Sequence, residues 1–326
     1  MSKGLDPGTG NFVVADDKGI RLQRNSFLTL TEVGTTTRQL KMMNVPYVVI
    51  NQKINIIGTK AYELANVFNS SELKRPMSNG LLNPMEQDAL PVLQLIINEL
   101  LGSPSKENEL VTYCIPGKPI DRENEVSYHE DVLKTLITNA GYSAKSINEA
   151  YALGLIGLED AGYTGIAISC GAGMCNICIM YAGIPALTFS TSKAGDFISE
   201  NVARDCGITK AKATYIKEKG DYSISPKAIE IRSREQQAIK TYYEVLIRYL
   251  LANIEKQFTS TQMPTFPNAV PIVCGGGTTM VNGFIEVFKD QFNQKGFPID
   301  ISDITLVKEP LTAVARGCLK DAELED

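Results

Sequence analysis

Asp6-Pro7-Gly8-Thr9-Gly10-Asn11, close to the N-terminus, is echoed in mid-chain by Ser169-Cys170-Gly171-Ala172-Gly173-Met174-Cys175-Asn176, which follows the apolar run Ile166-Ala167-Ile168. Each reads as a strand, a Gly-x-Gly turn and a second strand. Asp6 and Ser169 stand 163 residues apart, half of the 326-residue chain. Two similar glycine turns, one opening each half, point to a duplicated domain gripping one ligand. Glycine turns let backbone N–H groups approach a ligand closely, and a phosphate chain is the natural guest. The copies differ in one respect: the first has an aspartate before its turn, the second a serine.

The chain around these turns is long enough for two domains with cores of their own. Its hydrophobic content of 44% and charged content of 21% are ordinary for a soluble protein, and a net charge of −5 without a long basic run argues against direct nucleic-acid binding. Seven irregularly spaced cysteines fit a reducing compartment, which makes a cytoplasmic location the expectation. Cys175 and Cys178 form a lone CxxC. Zinc would need two further ligands, and His129 is the single histidine, so buried strand cysteines are the plainer reading. One histidine also argues against a Ser-His-Asp mechanism. No apolar leader segment precedes the first turn. Residues 161–192 carry no charge and have the length of a membrane span. Six glycines and prolines, from Gly162 to Pro185, break that stretch, and short buried strands explain it better.

Outward from the turns, the first half predicts a hairpin of 11–15 and 20–23 around Asp16–Gly19, a second hairpin of 45–50 and 54–57, and a helix over 59–68. Residues 74–80 read as a loop. Asn83-Pro84 reads as a helix start, cap then proline, with the helix running to Leu101 and kinked at Pro91. A buried strand over 110–115 and a helix over 123–139 follow. The second half predicts a short strand at 146–148, a helix at 150–158, three strands within 166–189, and helices at 194–206, 209–219 and 228–258. It ends with a strand at 269–274, a helix at 279–295, an extended 300–307 and a helix at 311–324. Alternating strands and helices in both halves make this an α/β protein with a duplicated core.

Three places carry the chemistry. Asp6, at a strand end before Gly8, Thr9, Gly10 and Asn11, can hold Mg²⁺ or its waters while the next amides bind phosphate; the plain alternative is a β-turn with Asp and Gly in their usual places. Gly171, Ala172 and Gly173 alone are a tight turn between strands and gain weight as the echo of the first. Gly275, Gly276 and Gly277 lead from a strand into Thr278, read as the cap of a helix. That would aim free N–H groups and a helix dipole at a ligand, although a strand-to-helix turn needs only one glycine.

The order DPGTGN, SCGAGMCN, GGGTTM resembles the phosphate-1, phosphate-2 and adenosine motifs of the actin–Hsp70–sugar kinase superfamily. Further segments are similar to the bacterial actins. These are Arg75-Pro76-Met77 with Gly80, the connector Ile147-Asn148-Glu149-Ala150-Tyr151-Ala152, Lys193-Ala194-Gly195-Asp196, and Glu309 to Gly317, which resembles the C-terminal signature of MreB. The MamK filament proteins are a close alternative. The resemblance spans the chain and implies an actin-like ATPase fold of duplicated ribonuclease-H-like domains around a nucleotide cleft. Its subdomains would be IA (1–32, 76–143, 311–326), IB (33–75), IIA (144–190, 259–310) and IIB (191–258).

By that resemblance ATP or ADP with Mg²⁺ is the cofactor, with Asp6 near the metal. Gly8 to Asn11 and Gly171 to Gly173 would clamp the phosphates, and Gly275 to Thr278 would face the nucleoside and α-phosphate. Glu149 matches the residue that orients or activates the attacking water, which hydrolysis needs in line with the γ-phosphate; as a helix N-terminal acid it would also be favoured by the dipole alone. Asn176 falls where actin keeps a histidine near that water. The sequence departs from the family pattern at Ser169, where an aspartate normally holds a water of the metal shell, and at Met174 and Cys175, where threonines are usual. Nucleotide binding with slow hydrolysis is therefore expected. Self-association into protofilaments, with an unidentified cargo or adaptor, is the implied partnership. Without an amphipathic N-terminal segment or tryptophan, no direct membrane contact is expected. A non-polymerising nucleotide-binding adaptor is the alternative. A small-molecule kinase would need more chain, and an Hsp70 would need a peptide-binding domain beyond residue 326.

Overall fold

The computed structural model describes residues 2–30, 35–67, 73–123, 126–228, 233–260, 263–294 and 296–325. The chain divides into two units, Met1–Ile115 with Glu125–Ile147 and Cys318–Asp326, and Pro116–Asn124 with Asn148–Gly317.

The first unit is built on a five-stranded sheet with Lys3–Pro7 at its centre. That strand runs parallel to Leu110–Ile115, pairing Leu5 with Tyr113, and antiparallel to Asn11–Asp16, pairing Gly4 with Ala15 and Pro7 with Phe12. Gly19–Arg24 and Ser143–Asn148 are the outer strands. Leu5, Phe12 and Val14 are buried with the Ala89–Leu101 helix, whose Val92, Leu93, Ile96, Ile97 and Leu100 recur at helical spacing. Leu133, Leu136 and Ile137 of the Val126–Asn139 helix complete this core. A smaller sheet, in the order Tyr47–Ile50, Lys53–Ile57, Phe27–Leu30 and Leu73–Lys74, has its own core with the Thr35–Met42 and Gly58–Val67 helices, through Leu40, Ala61 and Ala65.

The second unit repeats the strand order. Gly165–Cys170 is central, antiparallel to Cys175–Tyr181 and parallel to Val270–Gly275; Ile184–Thr191 and Ile301–Leu306 are outermost. The helices Gly195–Cys206, Arg234–Ser260 and Phe284–Asn293 share its core, through residues such as Ile198, Leu246 and Phe288. The hairpin registers match between units. Pro7 opposite Phe12 and Cys170 opposite Cys175 are each the last pair before the turn, and each encloses four residues. Asp6 and Ser169 therefore occupy equivalent positions. Leu5 beside Tyr113 corresponds to Ile168 beside Cys274 on the parallel side. The duplication read from two glycine turns extends to the whole sheet.

Several local expectations change. Residues 74–80 hold the end of a strand and half of a two-residue hairpin, Met77–Ser78 against Leu81–Leu82. The helix expected from Asn83 begins at Ala89. Asn83 is used in a turn instead: its side chain accepts from Met85 N at 3.2 Å, and its own N–H goes back to Pro76 O at 2.9 Å. Pro91 then falls in the first helical turn, where its missing N–H has no intrahelical partner, so no kink is required there. The strand Phe27–Leu30 and the helix Thr35–Met42 lie in a stretch whose pattern assigned no element. Residues 68, 124–125, 229–232 and 295, expected within helices, lie outside the described residues.

A buried ion network ties the first hairpin to its helix. Asp16, its side chain fully buried, accepts from Lys3 Nζ at 3.0 Å and from Arg21 at 2.7 and 3.1 Å, and Arg21 Nε also donates to Leu100 O at 2.8 Å. Burial works to raise the Asp16 carboxyl, but the bonds from Arg21 and Lys3 outweigh it and hold the pKa down at about 2. Depression of a folded-state carboxylate adds stability above its unfolded pKa, and that stability is lost as pH falls through the folded value. Asp16→Asn should cost about 2 kcal/mol at pH 7, because it leaves buried Lys3 with the longer 3.5 Å pairing to Glu109 and takes the carboxylate from half-buried Arg21. In urea unfolding the gap from wild type should narrow below about pH 4 and close by about pH 2. A gap of constant size from pH 7 to pH 3 would contradict this account.

Candidate functional site

In the first unit the turn after Lys3–Pro7 is held from two sides. Asn25, fully buried, donates from its side chain to Gly8 O and from its backbone to Gly10 O, both at 3.1 Å. Thr9 Oγ1 accepts from Gly80 N at 2.9 Å, which links the turn to the loop after Met77. A Cβ on Gly8 would come within 2.8 Å of Asn11 O, so the tight reversal itself requires this glycine. Asn11 opens the return strand opposite Arg24. The Oδ1 of Asn25 is buried without a hydrogen-bond partner. Nothing in the sequence pattern marked Asn25, because its role depends on a strand end folding back over the turn.

Asp6 lies one residue before that turn, at the end of the strand. The thiol of Cys114, on the neighbouring parallel strand, donates to its Oδ1 at 3.4 Å. Burial pushes the Asp6 carboxyl up to about 7, and the weak thiol bond offsets little of that. A carboxylate in this condition calls for a proton or a cation.

In the second unit Glu149 is the first residue of the Glu149–Gly157 helix, and the side chain of Asn148 caps that helix by accepting from Ala150 N and Tyr151 N at 3.0 and 3.1 Å. Both carboxylate oxygens of Glu149 are engaged. Ser169 Oγ donates to Oε1 and Asn176 Nδ2 to Oε2, each at 2.8 Å. Asn176 Oδ1 in turn accepts from Gly117 N at 2.9 Å. Gly117, absent from the sequence-based candidates, sits so close to Phe189 that a Cβ would lie within 3.0 Å of that residue's backbone. Ser190 Oγ donates to Gly117 O at 2.8 Å, which fixes the segment further.

The other two glycine turns of this unit meet. Thr278 Oγ1 donates to Gly171 O at 2.7 Å, Gly195 N donates to the same oxygen at 3.1 Å, and Asp196 N donates to Ala172 O at 2.7 Å. Gly173 completes the turn before Cys175. The helix expected after Gly277 is only a 3₁₀ turn, Gly277–Met280, and the α-helix starts later at Phe284. Thr278 is therefore a cross-link between turns, not a helix cap, and the dipole expected there is missing. Gly276 has φ +89° and leaves 2.4 Å between a Cβ and Cys170 O; a Cβ on Gly275 would strike Leu153 at 2.5 Å. The Cys170 backbone thus requires Gly276 before any ligand is considered, whereas a Cβ at 275 would displace the Leu153 side chain. Lys217, also unmarked by the sequence, brings its ammonium to Gly195 O at 2.6 Å, beside the Gly171–Thr278 link.

The CxxC separates on the strand. Cys175 and Cys178 are three residues apart, so alternation sends their side chains to opposite faces and they cannot share a metal. Cys175 instead faces Cys170 across the hairpin, and both are buried in the core. Among the described residues no group of three His, Cys, Asp or Glu side chains could hold a metal ion. No helix among the described residues is long and apolar enough to cross a membrane.

Solved structures with this fold cover nearly the full chain. The MamK double helical filament is similar with a TM-score of 0.77 and 20% identity over 98% of both chains. The MreB5 of Spiroplasma citri bound to AMPPNP follows with a TM-score of 0.70 and 14% identity, over 99% of this chain and 96% of that one. The ethanolamine utilization protein EutJ from Carboxydothermus hydrogenoformans has a TM-score of 0.56 and 16% identity, over 98% and 89%. No curated protein matches by sequence. The fold is the one that these MamK and MreB5 structures share. A sequence match over residues 1–322 shows that the chain belongs to the Volactin family.

Proposed function

We propose that this chain is a nucleotide-dependent, filament-forming cytoskeletal protein that binds ATP with Mg²⁺ and hydrolyses it slowly. The carrying observation is the doubled hairpin register: the same glycine turn recurs at the end of the same strand in each unit, with Asp6 behind one and the held carboxylate of Glu149 beside the other. In support, solved relatives of this fold are described as a double helical filament and as bound to AMPPNP or to ADP.

A divalent cation would supply countercharge to the Asp6 carboxylate, whose pKa burial raises to about 7. Mg²⁺ there would keep several waters and neutralise phosphate charge. The equivalent position in the second unit is Ser169, which brings no charge to a metal shell, and this is the physical basis for expecting slow turnover. Gly8 to Asn11 and Gly171 to Gly173 would clamp the phosphates and Gly275 to Thr278 would take the nucleoside side; the Gly171 and Gly276 amides donate to Met174 O and Pro310 O, each at 2.9 Å, so other amides of these turns would meet the ligand. Glu149 orients the attacking water, with Asn176 beside it.

Sedimentation and electron microscopy with ATP, ADP and no nucleotide test the filament. ATP-dependent protofilaments are expected. A monomer at every concentration would move the reading to a nucleotide-binding adaptor. Glu149→Gln should slow phosphate release at least about 100-fold, the usual contribution of a positioned acid or base, while nucleotide affinity stays within about threefold. Equal release rates in the two proteins would remove Glu149 from the chemistry.

A further inference from the structure

Ser169 departs from the family pattern, and taken alone it is a lost metal-side acid. Its surroundings give it a different part. Ser169 and Asn176 are register partners on adjacent antiparallel strands, so their side chains stand side by side on one face of the sheet. On the other flank Ser169 adjoins Gly275, which has no side chain to compete for that face. Both partners are buried, Ser169 1% and Asn176 0% exposed, and both donate to the one carboxylate of Glu149 at 2.8 Å. The orientation of Asn176 is set by its other end: Gly117 N–H can only donate, so Oδ1 must face it and Nδ2 must face Glu149.

We propose that Ser169 is a positioning residue, an obligate hydrogen-bond donor that holds the Glu149 carboxylate in one orientation; its role in turnover rests on the hydrolytic reading of Glu149. An aspartate in its place could not donate while ionised. Two carboxylates at that separation would have to share a proton or move apart. An acid at position 169 and Glu149 in its present place exclude one another at neutral pH. The departure from the family pattern is thus tied to the placement of Glu149, and reverting it does not restore a metal-side acid for free.

Three variants and a nucleotide-free measurement test this. Ser169→Ala should lower kcat for phosphate release about tenfold or more, the worth of one hydrogen bond to a charged group, with KM and nucleotide affinity changed less than about twofold. Ser169→Thr, which keeps the hydroxyl, should recover most of that rate. Ser169→Asp should be at least as slow as Ser169→Ala. Without nucleotide, a double-mutant cycle of Ser169→Ala with Glu149→Ala in denaturant unfolding should give a coupling of about tenfold in the unfolding equilibrium constant. A faster Ser169→Asp, a Ser169→Thr no better than Ser169→Ala, or an additive cycle would each overturn the proposal. A wild-type protein that releases no phosphate but shows the coupling would instead refute the hydrolytic reading and leave the hold on Glu149 standing.

Discussion

Antiparallel pairing across the two hairpins constrains everything else in this protein. Once Pro7 is opposite Phe12 and Cys170 opposite Cys175, every side chain along both central strands is assigned to a face, because the period of a strand is two. In the first unit this sends Leu5, Phe12 and Val14 to the helices. In the second it sends Cys170 and Cys175 to the core and leaves Ser169 and Asn176 on the opposite face. A slip of one residue would turn the polar pair into the apolar core and take both donors away from Glu149. The glycine turns sit where that pairing runs out.

The two units use the same register for different ends. Asp6 sits in surroundings that raise its carboxyl to about 7, with the thiol of Cys114 donating to it. Ser169, at the equivalent position, instead donates to a carboxylate brought in on the N-terminus of a separate helix. A carboxylate still stands beside this position in the second unit. It lies on Glu149, held by two neutral donors whose own positions are set by the sheet and by Gly117.

Glycines in this chain answer to two masters, and the structure separates them. Gly276 is required by the Cys170 backbone, and a Cβ on Gly275 would displace Leu153, whatever binds nearby. Gly171 has a looser fit, with the nearest atom to a Cβ at 3.2 Å, and its carbonyl gathers donors from Thr278 and Gly195. A run of three glycines is therefore weaker testimony to a ligand than its composition implies, whereas the convergence of two turns on one carbonyl is a feature of tertiary structure.

The duplication, most strands of the two central sheets and most helices are legible in the sequence, because hydrophobic period and glycine turns are local signals; the strand read at 146–148 opens the second half by sequence, but Ser143–Asn148 edges the first unit's sheet. Motifs in their own neighbourhoods also single out Asp6, Glu149 and Asn176 as candidates. Tertiary structure alone decided that Asn83 makes a turn and not a helix cap, since its backbone is pulled back to Pro76. It likewise decided that Thr278 links two turns. It brought in Asn25, Gly117 and Lys217, none of which sits in a motif. Hydrogen bonds such as Gly117 to Asn176, 59 residues apart, leave no periodic trace in the chain. They exist only once sheets and turns have set distant backbone groups within 3 Å of one another.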